Sequence, residues 1–219
     1  MIDRLICSDL HAGLATSRWN VLVHEVKKCN PKQVIMIGDV VDSNPSIPVD
    51  PLMRSIIGMA LERDVVWVKG NHDWLLAEPL CSKFNMALKP CEAYSWEDVN
   101  GSNIAIHGHQ FDSMITQHPD LTAIASGLYA NLTQLAGPTV AEFLKHVQKV
   151  VSHDAKKVAS GAAAYATENK FANIFCGHVH EYAFTADQGI NYYNDGCCCS
   201  FGGTYLTIRD DGFIEQCNF

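Results

Sequence analysis

The sequence contains no apolar run approaching the roughly 18 residues that a membrane-spanning helix needs. Its opening, Met1-Ile2-Asp3-Arg4-Leu5-Ile6-Cys7, has no basic flank ahead of an apolar stretch, so no secretory leader is expected. There is no Cys-x-x-Cys pair, and the nine cysteines are scattered except for Cys197-Cys198-Cys199. An odd count without ribbon spacing reads as reduced, mostly buried thiols and a cytoplasmic location. Clusters of Lys and Arg are also lacking. With a net charge of -8 and a pI near 5.6, general electrostatic binding to nucleic acid is not expected. Repeats, low-complexity tracts and linkers are missing, so residues 1–219 are read as one domain.

What remains is the composition of a folded chain, 47% hydrophobic and only 18% charged. Ile2 to Ser8, Gln33 to Ile37 and Val65 to Val68 read as strands. Between and after them, Ser17 to Cys29, Pro51 to Arg63 and Trp74 to Phe84 carry apolar residues at helical spacing. That alternation implies a parallel sheet covered on its faces. The pattern then changes. Ala93 to Val99 and Ser102 to Ile106 flank Asn100-Gly101, a hairpin signal. An Ala-rich helical insert spans about 112–170, with a break at Pro138 and an apolar stripe through Val147, Val151, Ala155, Val158, Ala162 and Tyr165. Strands are expected again at Phe171 to Cys176, Tyr182 to Thr185, Ile190 to Tyr193 and Thr204 to Ile208, followed by a turn at Asp210-Asp211-Gly212 and a last strand. The class is α/β with an α+β character.

Five short segments each follow an apolar strand: Ser8-Asp9-Leu10-His11, Gly38-Asp39-Val40-Val41-Asp42, Gly70-Asn71-His72-Asp73, His107-Gly108-His109 and Gly177-His178-Val179-His180. Ligand sites in α/β sheets form at the carboxyl ends of strands, where loops can bring distant residues to one point. The glycines before Asp39, Asn71 and His178 suit tight turns. Carboxylate, amide oxygen and imidazole without thiolate fit a pair of divalent ions of the manganese, iron, zinc or magnesium kind. Two such ions repel, and Asp39, in the middle of the set, is the natural bridge. With Asp9, Asp39 and one hydroxide they keep a residual positive charge that would attract phosphate, and a metal-bound water ionises near neutral pH.

In this order, the five segments resemble the calcineurin-like metallophosphoesterase superfamily, from Asp9 to His180. The resemblance implies a four-layer sandwich of mixed sheets flanked by helices. It also implies a small phosphorylated substrate and two divalent ions, manganese first, with iron, zinc or magnesium as alternatives. It assigns Asp9, His11, Asp39 and His180 to one ion and Asp39, Asn71, His107 and His178 to the other. His72 would protonate the leaving oxygen and Asp42 would orient it. Hydrolysis of a phosphomonoester, phosphodiester or pyrophosphate follows. A nuclease of the same superfamily and a catalytically silent scaffold are the other readings. The acidic charge disfavours the nuclease, and the complete ligand set disfavours the scaffold. Within the superfamily, His107-Gly108-His109-Gln110-Phe111-Asp112, the insert and Tyr193-Asn194-Asp195-Gly196 are similar to bacterial phosphoesterases of the UDP-2,3-diacylglucosamine diphosphatase type. His72 departs from that type, which carries Arg there. Protein Ser/Thr phosphatases resemble the chain less, because Ser43-Asn44 replaces their Arg-Gly and Asp73 their Glu.

Other residues have blander readings. His109 and Asp112 are candidates to support the ligands, against a solvent-facing loop and a helix cap respectively. Asp73 is expected to cap a helix beginning at Trp74. His24, His118, His146 and His153 have no partners at ligand spacing. Cys197 to Cys199 cannot close one tetrahedral site among themselves and read as buried thiols near a turn. The insert could form a lid with a groove for an acyl chain or nucleoside, pack on the sheet, or contact another subunit in a homo-oligomer.

Overall fold

Strands whose residues are apolar at every position have two faces to bury. Leu5-Ile6-Cys7 and Val34-Ile35-Met36-Ile37 are of this kind. In the computed structural model, which describes residues 1–112, 155–199 and 203–219, both runs lie inside a stack of four layers. The first sheet has the order β10-β9-β1-β2-β3. It is built from β1 (Ile2–Cys7), β2 (Gln33–Ile37), β3 (Asp64–Val68), β9 (Thr204–Arg209) and β10 (Ile214–Asn218). The second, in the order β4-β5-β6-β8-β7, uses β4 (Tyr94–Asp98), β5 (Gly101–Ala105), β6 (Asn173–Cys176), β7 (Ala183–Asp187) and β8 (Ile190–Asn194).

Alternation along the strands assigns each side chain to a layer. Leu5, Cys7, Val34 and Met36 pack with Leu22 and Val26 of α1 (Trp19–Cys29), Leu52, Met53 and Ile56 of α2 (Asp50–Glu62), and Cys81 of α3 (Ala77–Lys83). Ile6, Ile35 and Ile37 face the other way and meet Trp96, Ala105 and Phe175 between the sheets. Ile104, Ile174, Cys176 and Tyr192 turn outward against Ala162 and Ala166 of α4 (Ala155–Glu168). Burying each large aliphatic side chain of this kind stabilises the fold by about 1.5–3 kcal/mol.

The strand-helix alternation at the start gives β1, β2 and β3 in parallel, as predicted. The sheet is nevertheless mixed, because β9 adds antiparallel to β1 and β10 to β9. The second sheet is mixed as well, with β5, β6 and β8 parallel and β4 and β7 antiparallel at its edges. Two predicted details shift. The hairpin pairs Asp98 with Gly101, so its loop is Val99-Asn100, and Gly101 alone takes the positive φ of 96°. Asp98 Oδ1 fixes this by accepting the Asn100 N–H at 2.8 Å. Helix α3 starts at Ala77 and not at Trp74, for a reason that lies in the site. Most of the predicted insert, including Pro138, Val147, Val151, His118, His146 and His153, falls outside the described residues. Its last part is α4, whose Val158, Ala162 and Ala166 are buried. His24 is exposed on α1, and none of the nine cysteines, all among the described residues, is in a disulfide. Among the described residues, no helix is long and apolar enough to cross a membrane.

Gly58 sits exposed inside α2 with nothing within 4 Å of where a Cβ would stand. Gly58→Ala should therefore raise the unfolding free energy by about 0.5–1 kcal/mol, through a less flexible unfolded chain. Urea denaturation measures it, and a lower midpoint would contradict the helix assignment there.

Candidate metal centre

Strands β1, β2, β3, β5 and β6 each run into one of the five segments at their carboxyl ends, so both sheets feed one cluster. The loops are bonded to one another through the main chain. Asp9 N–H donates to Gly38 O at 3.1 Å, His11 N–H to Asp39 O at 2.8 Å, and Gly177 N–H to His107 O at 3.0 Å. Asp9, His11, Asp39, His178 and His180 all have positive φ, between 43° and 71°. For residues with a Cβ this conformation costs on the order of 1 kcal/mol each, and such strain concentrates at functional sites. The glycines have different reasons from one another. Gly38 takes a φ of 78°, and a Cβ there would also meet His107 Nδ1 at 2.5 Å. Gly70 and Gly177 are needed for close approach, since a Cβ would strike the carboxylates of Asp39 and Asp9 respectively.

Asp9 and Asp39 are buried at the centre. Asp9 Oδ1 lies 3.1 Å from His180 Nε2, 3.8 Å from His11 Nε2 and 4.0 Å from His107 Nε2. Asp39 Oδ2 lies 3.3 Å from His107 Nε2 and 3.7 Å from His11 Nε2, while its Oδ1 accepts the His72 N–H at 2.8 Å. Asp9 Oδ2 accepts the His178 N–H at 2.8 Å.

The far side of several rings is fixed by hydrogen bonds, which decides what the near side offers. His107 Nδ1–H donates to Ile37 O at 2.7 Å and His11 Nδ1–H to Asp42 Oδ2 at 3.0 Å, so each turns Nε2 into the cluster. His178 Nε2 meets Asp112 Oδ2 at 3.0 Å. His72 Nδ1 stands 3.2 Å from Asp42 Oδ2 and 3.4 Å from Ser43 Oγ. Asp42 thus holds two histidines on one oxygen.

The charges hold one another. Burial opposes ionisation of Asp9, but His180 and then His107 bring its carboxyl well below the usual range. Burial likewise opposes ionisation of Asp39, and His107 and His72 overcome it. Burial disfavours charge on His107, yet Asp39 and Asp9 raise it to about 10, and Asp9 raises His180 to about 9 against the same effect. His109 shows the opposite outcome, because burial and the neighbouring His107 and His178 lower it to about 3.

Whether these residues fit a metal can be judged from buried polar atoms. Among the described residues, Asn71 Oδ1 and His107 Nε2 are buried without a hydrogen-bond partner, and His107 Nε2 faces Asp39 Oδ2 at 3.3 Å without hydrogen-bond geometry. Leaving such groups unmade costs about 1–3 kcal/mol each, and a cation is the partner that carboxylate, amide oxygen and imidazole share. Asp9, Asp39 and His107 offer ligand atoms within 4.8 Å of one another, as do His11, Asp39 and His72. The donor set fits a metal.

Asp9, His11, Asp39, His72, His107 and His180 thus meet in one cluster, His178 joins it through its main-chain N–H, and three features come from the tertiary structure alone. Asp73 does not cap α3. Its Oδ1 accepts the Gly70 N–H at 2.7 Å, and its Oδ2 accepts the Val40 N–H at 2.7 Å and Trp67 Nε1–H at 3.0 Å, tying two site loops together. Turned back in this way, it leaves the segment before Ala77 as turns. Burial and Asp39 push its carboxyl up, against the pull of those donors. Asp195 reaches Ser8 Oγ at 2.7 Å, and Ser8 Oγ lies 2.6 Å from Asp9 Oδ2. One hydroxyl proton cannot serve two carboxylates. Burial and Asp9 push the Asp195 carboxyl well up, which favours the neutral form that could donate to Ser8 in turn. Cys199 Sγ lies 3.9 Å from His180 Nδ1. Asp195 lies in the Tyr193-Asn194-Asp195-Gly196 stretch already singled out, Asp73 in the third segment and Cys199 in the cysteine run, but none of these signals its partner. Asp112 supports His178, and His109 packs against His107 with ring centroids 5.4 Å apart and against Trp74 at 6.4 Å.

Comparison with known proteins places this arrangement. A family model described as calcineurin-like phosphoesterase matches residues 4–182. Among solved structures, an archaeal phosphodiesterase superposes with a TM-score of 0.56 at 13% identity, covering 99% of each chain. The E. coli phosphoesterase Yfce gives 0.55 at 14% identity, covering 98% of this chain and 97% of that one. Vps29 of Entamoeba histolytica in complex with zinc gives 0.51 at 14%, covering 99% and 97%. At these identities the likeness is one of fold. Comparison with curated proteins gives no match.

Removing the Asp73 carboxylate leaves three N–H donors unserved. Asp73→Ala should lower the unfolding free energy by about 3 kcal/mol or more. A loss below about 1 kcal/mol in urea denaturation would show that the two loops do not depend on it.

Proposed function

The chain belongs to the calcineurin-like phosphoesterase family, and from that premise we propose that it hydrolyses a phosphomonoester, phosphodiester or pyrophosphate bond at a dinuclear centre. The family makes it a metal-dependent phosphoric ester hydrolase. The observation that carries the finer reading is the convergence of His11 Nε2, His107 Nε2 and two buried carboxylates, with Asp39 Oδ2 between the imidazoles at 3.7 and 3.3 Å.

In this reading Asp9, His11, Asp39 and His180 hold one divalent ion and Asp39, Asn71, His107 and His178 the other, with Asp39 shared. His178 presents Nδ1, since its Nε2 faces Asp112. Manganese is the first choice, with iron, zinc or magnesium as alternatives. When bound, such a pair supplies hydroxide from water near neutral pH and neutralises phosphate charge. The chain's own residues do the rest. Asp42 takes His72 Nδ1–H, which turns Nε2 towards a phosphoester leaving oxygen. Burial disfavours charge on that ring, while Asp39 and Asp42 raise its pKa. A cytoplasmic location, where thiols stay reduced, is part of the proposal. A protein of the same fold, Vps29 of Entamoeba histolytica, is known in complex with zinc, which accords with a metal-binding reading of this chain.

Metal analysis of purified protein should find close to two transition-metal ions per chain, and Asp39→Asn should lose metal and all turnover of a chromogenic phosphodiester after manganese addition. Retained turnover would refute the shared role of Asp39. His72→Gln should lower turnover about 10²–10⁴-fold with metal content unchanged. Loss of metal there would make His72 a ligand.

A further inference from the structure

The inner face of the second sheet carries two rows of side chains that the metal centre does not use. Register places Asn103, Asn173 and Asn191 side by side on β5, β6 and β8. Two positions further along, Phe175 of β6 lies beside Tyr193 of β8, and Tyr193 pairs with Phe184 of β7. The first row is an amide ladder and the second a series of rings. Trp96, Phe175 and Tyr193 stack with centroids 5.3 and 4.9 Å apart, and Phe184 follows at 4.9 Å. Trp96 and Phe175 are buried between the sheets, but towards β7 the cover runs out. Phe184 is 49% exposed, and so are Tyr182 by 37% and Phe213, from the turn before β10, by 53%. These three rings and Tyr193 line one cavity of about 380 Å³, within the size range of small-molecule sites.

The amide ladder has a direction, and main-chain carbonyls fix it. Asn103 Nδ2 donates to Trp96 O at 3.3 Å and Gly101 O at 2.7 Å, which leaves its Oδ1 to accept from Asn173 Nδ2 at 2.9 Å. Asn173 Nδ2 also donates to Asn100 O at 3.0 Å, and its Oδ1 accepts from Asn191 Nδ2 at 2.9 Å. The row therefore ends at Asn191 Oδ1, an acceptor that no hydrogen bond reaches among the described residues. Asn100 repeats the arrangement. Its Nδ2 donates to Gly212 O at 2.9 Å, and among the described residues no bond reaches its Oδ1. Both amides line the cavity, and among the described residues no charged side chain does. Phe213 is braced by Arg209, whose Cζ lies 4.8 Å from the ring centroid and whose guanidinium donates to Glu215 at 3.0 Å.

What the cavity offers and what it lacks together define a ligand. Rings give flat apolar faces, amide oxygens take N–H donors, and an ionic group finds no partner. A neutral planar heterocycle that bears N–H donors meets all three conditions, and a nucleobase is the common biological group of that kind. We propose that this cavity binds the base of a nucleoside, stacked on the rings of Phe184 and Phe213 with its N–H donors towards Asn191 Oδ1 and Asn100 Oδ1. The site is distinct from the metal centre, since none of its lining residues is a candidate ligand. It does not rest on the dinuclear reading.

Adenosine titrated into the full chain tests this, because it carries a base and no phosphate. Isothermal titration calorimetry should show saturable binding of one adenosine per chain and none of ribose. Phe184→Ala and Phe213→Ala, both at exposed rings, should each raise Kd about tenfold, the effect expected for losing one stacking partner. Inorganic phosphate in excess, which would occupy the metal centre, should not displace the nucleoside. Absence of saturable adenosine binding, ribose bound as well as adenosine, or a Kd unmoved in either ring variant overturns the proposal. Displacement by phosphate would put the nucleoside at the metal centre and overturn it too, leaving the dinuclear reading intact. Should a ring variant fail to fold, an azido derivative of adenosine photolysed on the wild type decides the matter. Label mapped by mass spectrometry to residues 182–193 or 212–214 supports the cavity, and label confined to other residues overturns it.

Discussion

Asp9 and Asp39 are buried in the same cluster, and in a low-dielectric interior two neighbouring carboxylates repel strongly. Much of the surrounding structure can be understood as the answer to that repulsion. His180 and His107 stand against Asp9, and His107, His72 and His11 against Asp39, each favouring the charged carboxylate. A site that holds concentrated negative charge in place by imidazoles is a site into which divalent cations fit, because a cation can take up the interactions a proton makes at the inward ring nitrogens. The attraction for metal and the stability of the free cluster thus come from the same contacts.

Holding that cluster requires the loops to be rigid. Five of the site residues lie in the left-handed region, a conformation that side chains with a Cβ adopt only where the surroundings impose it. The surroundings here are explicit. Main-chain bonds join the loops after β1 and β2, Asp73 joins the loops after β2 and β3, and the chain from Asp195 through Ser8 steadies Asp9 from behind. Glycines at 38, 70 and 177 let backbone and carboxylate approach where a methyl group would collide. The strain is offset by the packed sheets behind the loops, where Ile6, Ile35, Ile37 and Phe175 fix the strand ends.

Asp42 connects two functions. One of its carboxylate oxygens serves both His11, a candidate ligand, and His72, the candidate proton donor, whose rings meet edge to face at 4.7 Å. A change in the position of one ring is therefore felt by the other. Cys199 touches the same group of histidines from the side of His180, so the cluster has hard oxygen donors at its centre and a thiol at one margin.

The sequence by itself determined a good deal. Apolar runs with a period of two or none, broken by helical spacing, set β1 to β3 and α1 and α2 almost to the residue, because burial on one or two faces dictates those periods. Five segments at strand ends named the residues that meet at the site. What it could not determine was how the two sheets stack and which non-local atoms meet. Asp73 followed by an apolar stretch reads as a cap, since local pattern weighs only the N–H groups next in the chain. Its actual partners include Val40, thirty-three positions away. The Asn-Gly turn slipped by one residue because the Asp98 side chain competes for the turn N–H. Cys199 looked like a filler thiol among three, and only the passage of the chain from β8 in one sheet to β9 in the other brings it to His180. Ligand types and spacings are written locally, but hydrogen-bond partners and donor geometry are set by contacts distant in sequence, and those only the tertiary structure decides.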